Sequence, residues 1–314
     1  MAKLSKISKF PTVDLNRLNT EIEKLKTGNY KNADDDKFWK LEVDKAGNGM
    51  AVIRFLPAAA SDGDILPWVQ YFDHGFKGPS GQWYIENSLT TLNKKDPASE
   101  YNNKLWNATS DDQSPLRKQA RDQKRRLHYV APILVVKDPK HPENNGKVFL
   151  FKYGKKIADK LSLASNPTFE GDTPINPYDM GPGGANFILR RRNVAGYPNY
   201  DESTWETPSA VSDDEEEVNR IYGDVPSLKD IVSPDKFKSH DELLERLANA
   251  LGISVSHLTD ILSGEVPVTA GPARAKTARK ETRVVEEEEE VDVDDPPFNV
   301  DDDDEELQSF KSLV

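Results

Sequence analysis

The stretch "HYVAPILVVKDPKHPENNGKVFLFKYG", residues 128–154, decides how the fold is read. It holds two apolar runs, 128–136 and 147–154, rich in β-branched and aromatic residues. The polar "KDPKHPENNG" between them, with its prolines and glycine, reads as a turn. In the second run, alternation puts Phe149, Phe151 and Tyr153 on one face and Val148, Leu150 and Lys152 on the other. Working outward, "MAVIRFLP" (50–57), "WVQYFDHGF" (68–76), "GQWYIENS" (81–88) and "GANFILRRRNV" (184–194) are further strand candidates, punctuated by turn formers such as Gly47-Asn48-Gly49 and Gly78-Pro79-Ser80-Gly81. Five or six short strands with long irregular connections predict a mainly β architecture, a small Greek-key barrel for which the OB-fold is one candidate.

Helices are expected around this sheet. Leu15, Leu18, Ile22 and Leu25 recur at helical spacing, with Asp14 as N-cap and Gly28 as stop. "SPLRKQARDQKRRL" starts with Ser114 as N-cap and Pro115 in the first turn. "SHDELLERLANALG" (239–252) opens on a capping box, Ser239 to Glu242, and gathers Leu243, Leu244, Leu247 and Leu251 on one face. "SHLTDILSG" (256–264) reads as a short last helix. The insert from about 89 to 115 reads as polar loop, and "SDDEEE" (212–217) as an acidic loop.

Charge is distributed very unevenly. The 314 residues carry a formal net charge of -12. Residues 281–314 hold fifteen acids against Arg283 and Lys311, net -13, which leaves +1 for everything before them. Hydrophobic content of 36% against 31% charged predicts disorder over part of the length, and the acidic end is where it is expected. There is no run of eighteen apolar residues and no signal-peptide pattern, so a soluble intracellular protein is expected. Cysteine is absent, which excludes disulfides, thiol catalysis and every cysteine-containing zinc site. P-loop, Rossmann, G-x-S-x-G and H-E-x-x-H signatures are also absent, and the five histidines show no metal-ligand spacing. The expectation is a protein that is not an enzyme.

The positive signal is cations beside aromatics. Arg117, Lys118, Arg121, Lys124, Arg125 and Arg126 face a single acid, Asp122, giving net +5 over residues 117–129, which end on Tyr129. Residues 147–160 carry net +4, with Phe149, Phe151 and Tyr153 beside Lys152, Lys155 and Lys156. Arg190, Arg191 and Arg192 end a third strand, followed by Tyr197 and Tyr200. Cations track a phosphate chain and flat rings stack on unpaired bases, at roughly 1–3 kcal/mol per base whatever the sequence. The competing reading makes the rings core and the cations solvated rims; for any one strand ring it carries the greater weight. Three basic patches, each near a strand end, weigh against it collectively.

Several long blocks bear on the choice. "DKAGNGMAVIRFLP" (44–57), "DHGFKGPSGQWYIE" (73–86), "ILVVKDPKHPENNGKVF" (133–149), "YGKKIADKL" (153–161), "GANFILR" (184–190) and "GYPNYDES" (196–203) resemble, in the same order, the single-stranded DNA-binding proteins of T-even-type phages. The resemblance runs from about residue 38 to 250, and both ends agree in character, a basic arm and an acidic tail. It implies three parts: a basic arm, 1–29, for cooperative self-association on DNA through Lys3, Leu4, Ser5 and Lys6; an OB-fold core, 30–264; and a disordered acidic tail, 265–314, for protein partners.

The resemblance also implies that the core coats single-stranded DNA in replication, recombination and repair, in the cytoplasm of an infected host cell, with neighbouring protomers and replication, recombination and repair proteins as partners and no membrane. The DNA-contacting set it suggests, together with the patches above, is Arg117, Arg121, Lys124, Arg125, Arg126, Tyr129, Phe151, Lys155, Lys156, Arg190, Arg192, Tyr197 and Tyr200. Three departures stand out. Phe151 replaces the family's Tyr, Val130 replaces the Trp that follows the Tyr129 position, and "KRRLHY" (124–129) lacks the Ser/Thr of the family's basic motif. The family type member binds zinc through one His and three Cys. Here His74 is retained, but 87–100 contains no cysteine, so no cofactor is expected and Trp68, Trp83 and Trp106 are expected to hold that subdomain by packing. The alternatives are a single-stranded RNA-binding regulator, with the same stacking chemistry, and a protein-interaction adaptor acting through the tail.

Overall fold

The computed structural model describes residues 35–169 and 171–269. The expected arm helix, Lys3 to Lys6 and the acid run therefore lie outside the described residues. The chain divides into two compact units, Met1–Trp39 and Lys40–Val314. The described part of the first is a 3-10 turn at Asp35–Lys37 followed by the extended pair Phe38–Trp39 (β1). Everything below concerns the second.

The strands expected from alternation form β2 (Gly49–Phe55), β3 (Val69–Lys77), β4 (Trp83–Asn87), β5 (Arg126–Lys137), β6 (Val148–Tyr153) and β7 (Phe187–Val194), with two short additions, β8 (Tyr197–Asn199) and β9 (Thr204–Trp205). β5 organises them. One edge pairs with β6 over Tyr129–Leu134. The other pairs with β3 over Arg126–Val130 and then with β2 over Ile133–Lys137. Pro132 falls at that changeover, where a missing N–H costs no ladder bond, and its carbonyl accepts from the Leu56 N–H at 3.0 Å. From β2 the sheet continues to β7, which carries β8 and β9. β4 pairs with β3. All these pairings are antiparallel, and among the described residues they do not return on themselves. The result is an open, mixed sheet-and-helix architecture.

Two apolar centres flank β5. The first surrounds Phe55, whose ring lies 5.7–6.5 Å from those of Tyr153, Tyr178, Phe187, Phe151 and Trp205. The second joins the β3–β4 hairpin to helices: Phe76 stacks on Tyr84 at 5.1 Å, packed with Leu89, Tyr101, Leu105, Leu243, Leu247 and Leu258. Each such side chain contributes roughly 1.5–3 kcal/mol on burial.

The helices at 115, 240 and 255 appear as expected: α2 (Pro115–Asp122), α5 (His240–Leu251) and α6 (Val255–Ser263). Ser114 Oγ accepts from the Arg117 N–H and Ser239 Oγ from the Glu242 N–H, each at 3.2 Å. Two loop readings are corrected. The insert contains α1 (Pro97–Asn107), capped by Asp96, started by Pro97 and held by buried Ala98, Tyr101 and Leu105. The acidic loop is the N-terminus of α4 (Glu215–Gly223), with Asp214 as cap and Glu215, Glu216 and Glu217 in the first turn, where the helix dipole favours them. Between these, α3 (Lys155–Ser165) follows β6 directly, burying Ile157 and Leu161.

Candidate nucleic-acid interface

Register decides which side chains share a face. Gln70 pairs with Tyr129 and Phe72 with Leu127, so Trp68, Gln70 and Phe72 lie on the same face as Tyr129, Leu127 and Arg125. Tyr129 in turn pairs with Tyr153 across β6. The Tyr129 and Tyr153 rings stack at 5.6 Å with an interplanar angle of 15°, and Trp68 meets Tyr129 edge-on at 5.5 Å. The Arg125 guanidinium lies over Phe72, 4.0 Å from the ring centroid. Tyr129 is half-buried, whereas Tyr153 is buried and its phenol is pushed up in pKa by that burial, so it serves as a neutral ring.

The cations around this row differ in what holds them. Arg126 Nε donates to Asp73 Oδ1 at 2.8 Å, and His128 Nε2 approaches the other carboxylate oxygen at 3.0 Å. Burial would raise the Asp73 carboxyl, but His128 and Arg126 outweigh it and hold the group at about 2. Gly75 leaves room for Arg126: a Cβ there would sit 2.3 Å from its guanidinium. Lys124 is half-buried in the turn that leads into β5. Arg117 and Arg121 stand apart on α2. Arg117 lies 3.8 Å over Trp106, donates to the Trp106 and Thr109 carbonyls, and pairs with Asp112 at 2.8 Å; Arg121 donates to the Asp112 carbonyl at 2.6 Å. These bonds close α2 onto the end of α1.

Lys155 and Lys156 are exposed in the first turn of α3, two and three residues beyond Tyr153. Positive charge there opposes the helix dipole, and a phosphate at that end would satisfy both. Further along α3, Lys160 Nζ donates to the Asp201 carbonyl at 2.9 Å, which joins this helix to the segment carrying Tyr200. The β7–β8 hairpin turns through Ala195 (φ 54°) and Gly196 (φ 94°) and exposes Tyr197 at its tip. Arg190 donates to Glu202 O at 3.0 Å and Thr204 Oγ1 at 3.2 Å, and Arg192 pairs with the Glu202 carboxylate.

The first two basic patches thus meet at Tyr129 and Tyr153, and the second touches the third through Lys160. Phe151 sits differently: it is buried, 5.7 Å from Tyr153 and 6.4 Å from Phe55, and offers no open face to a base in this conformation. Trp68 and Phe72 were not among the residues expected at this surface. Their alternation in "WVQYF" was visible, but their partner strand lies some fifty residues away, beyond two helices.

The residues around His74 do not fit zinc. His74 is fully buried, with Nδ1 3.1 Å from the Gln123 carbonyl and Nε2 3.3 Å from both Ser99 Oγ and Asp96 Oδ1. The Asp96 oxygens already accept from the Ser99 N–H at 2.9 Å and the Leu89 N–H at 3.0 Å. Burial would raise this carboxyl, yet those bonds and His74 hold it at about 2. The chain offers no thiol, and among the described residues no group of three His, Asp or Glu side chains is placed to hold a metal ion. These side chains form a buried polar network. Asn102 Nδ2 also donates to the Gln123 carbonyl at 2.7 Å, so the network anchors the residue that precedes Lys124. Of the three tryptophans expected to hold this subdomain, Trp106 packs against its core, Trp68 lies beside Tyr129 and Trp83 is exposed.

Stacked rings edged by cations on an open sheet are the chemistry of a protein that holds unpaired nucleic acid. The chain belongs to the family described as "gp32 DNA binding protein like", whose profile matches residues 47–251. It is 36% identical over 296 residues to the single-stranded DNA-binding protein of Enterobacteria phage T4, covering 91% of this chain and 89% of that protein. The corresponding protein of phage T2 is 36% identical over 281 residues, covering 86% and 84%. One from Escherichia phage SV14 is 43% identical over 79 residues, covering 24% of this chain and 67% of that protein.

Proposed function

We propose that this chain binds single-stranded DNA without sequence preference and acts by coating it, not by catalysis. The observation that carries the reading is the row Trp68, Tyr129 and Tyr153 beside Arg125 on Phe72, all on one face at the mouth of β5. Bases stack on Trp68 and Tyr129, with buried Tyr153 backing the Tyr129 ring, while Lys124, Arg125, Lys155 and Lys156 meet the phosphates. Tyr197 and Tyr200, with Arg190 and Arg192, extend the track along β7 and β8. Arg117, Arg121 and Arg126 shape its border, and Phe151 backs Tyr153 from the core. The names of the T4 and T2 relatives support DNA as the strand.

The finer reading is an OB-fold core whose basic arm, through Lys3, Leu4, Ser5 and Lys6, joins neighbouring protomers on DNA. The acidic tail recruits replication, recombination and repair proteins in the host cytoplasm. The His74–Asp96 network takes the place of zinc. Among the described residues no helix is long and apolar enough to cross a membrane.

Titrating the full chain with oligo-dT, oligo-dA, oligo-U and duplex at several salt concentrations tests the reading. Tight binding to both deoxy homopolymers, weaker binding to duplex and a steep fall with salt are expected. A clear preference for oligo-U would favour RNA. Absence of binding to any strand at low salt would leave the tail-borne adaptor.

A further inference from the structure

One arginine of the second unit is fully buried and takes no direct part in the interface above. Arg54 sits near the end of β2, between fully buried Ile53 and Phe55. A guanidinium in such a place is costly unless its donors find acceptors. Its Nη2 donates to the carbonyls of Asp179 at 2.6 Å, Ser209 at 3.0 Å and Gly181 at 3.2 Å. Asp179 and Gly181 belong to the loop between α3 and β7, and that loop closes on itself. The Asp179 carboxylate accepts from the Gly181 N–H at 2.8 Å and the Gly183 N–H at 3.1 Å, and the Asn176 N–H donates to the Gly183 carbonyl at 3.0 Å. Gly184 admits the arginine: a Cβ there would sit 2.4 Å from Arg54 Nη2 and 2.0 Å from the Asp179 carbonyl oxygen.

The residue before Asp179 is Tyr178. Its ring packs edge-on against Phe55 at 6.0 Å, and its phenol hydrogen-bonds the phenol of Tyr153. Burial pushes the Tyr178 phenol up to about 12 and raises that of Tyr153 as well, so at neutral pH the bond joins two neutral groups. Tyr153 also meets Phe55 edge-on at 5.7 Å and stacks on Tyr129 at 5.6 Å. Ring stacking tolerates small tilts and slides. A hydrogen bond at the far end of the ring is directional and removes that freedom. We propose that Arg54 and Tyr178 are positioning residues for the base platform: Arg54 fixes the loop, Tyr178 holds the Tyr153 hydroxyl, and Tyr153 holds the Tyr129 ring parallel to itself. This rests on the reading of Tyr129 as a ring on which bases stack. Arg54 reaches no strand from its buried position; its contribution is a platform already ordered before a base arrives, which lowers the entropy lost on binding.

A double-mutant cycle in oligo-dT binding by the full chain tests this. Tyr178→Phe keeps the ring against Phe55 and removes only the hydroxyl. It is expected to weaken binding at least about threefold in the parent, but by less than about 1.5-fold once Tyr129 is replaced by alanine, because residues acting through one another couple. Tyr153→Phe should reproduce the loss, and joining it to Tyr178→Phe should add nothing. Arg54→Lys keeps the charge without the guanidinium fork and is expected to show the same dependence on Tyr129. Where it folds poorly, the two phenylalanine variants carry the test. Photocrosslinking of a 5-iodouracil oligonucleotide to Tyr129 at saturating protein reads the stacking geometry directly, and its yield is expected to fall in Tyr178→Phe. A merely structural role would lower Tm and weaken binding by the same factor whether or not Tyr129 is present. That result, or parent-like binding and cross-linking by Tyr178→Phe, would overturn the proposal. Failure of the underlying reading looks different: Tyr129→Ala would itself bind oligo-dT like the parent, and the positioning role would fall with it.

Discussion

Tyr129 shows how much one residue's role depends on register. Its ring is backed by Tyr153, edged by Trp68 and shares a face with Arg125. Tyr129→Ala is expected to weaken oligo-dT binding by roughly 1–3 kcal/mol, read as a dissociation-constant ratio, while Tyr129→Phe stays near the parent. Equal losses for both would point to the hydroxyl and not the ring. Asp73 and Asp96 give a prediction in pH. Both are held at about 2 when folded, below the ordinary carboxylate value, so the stability they add is fully present above that ordinary value and is lost as pH falls toward 2. Thermal melts should therefore fall steeply between about pH 4 and pH 2, each group accounting for on the order of 2 kcal/mol. Asp73→Asn should flatten that fall. A variant with an unchanged acid limb would show that Asp73 is not held as described.

At the scale of elements, the network around His74 joins β3, the start of α1 and the turn before β5. Asp96→Ala removes the α1 cap and leaves the Leu89 N–H and Ser99 N–H without their acceptor, a loss of several kcal/mol readable as a large drop in Tm. A strong chelator is expected to leave the parent Tm unchanged; a drop of several degrees would reveal a structural metal. Leu105→Ala, in the centre of the helical core, should cost about 2–5 kcal/mol in denaturant unfolding. The elements themselves were unevenly legible in the sequence. β2 to β7 declared themselves through alternation and turn residues, and α5 through its capping box. α1 stayed hidden because "DPASEYNNKLWN" is polar on most faces and only Ala98, Tyr101 and Leu105 mark the buried stripe. α4 was masked by its acids, which belong to a helix start as readily as to a loop. The pairing of β3 with β5, which puts Trp68 and Phe72 beside Tyr129, is a long-range choice that no local pattern encodes.

At the scale of the whole molecule, the formal charge of -12 describes neither part of the chain. Nearly all of the excess acid lies in residues 281–314, and the remainder is close to neutral. That separation was legible from sequence and explains how an acidic protein holds a polyanion. Removing residues 281–314 deletes a net charge of -13 and should tighten duplex binding and let it survive to higher salt. The central claim, that cations and rings at the mouth of β5 bind single strands together, is tested most directly by one measurement. Oligo-dT affinity is determined across a salt series for the parent, Arg125→Ala and Tyr129→Ala. The account predicts that Arg125→Ala makes the slope of log affinity against log salt shallower by about one, while Tyr129→Ala lowers affinity at every salt with the slope preserved. Parent-like affinity and slope in both variants would contradict it.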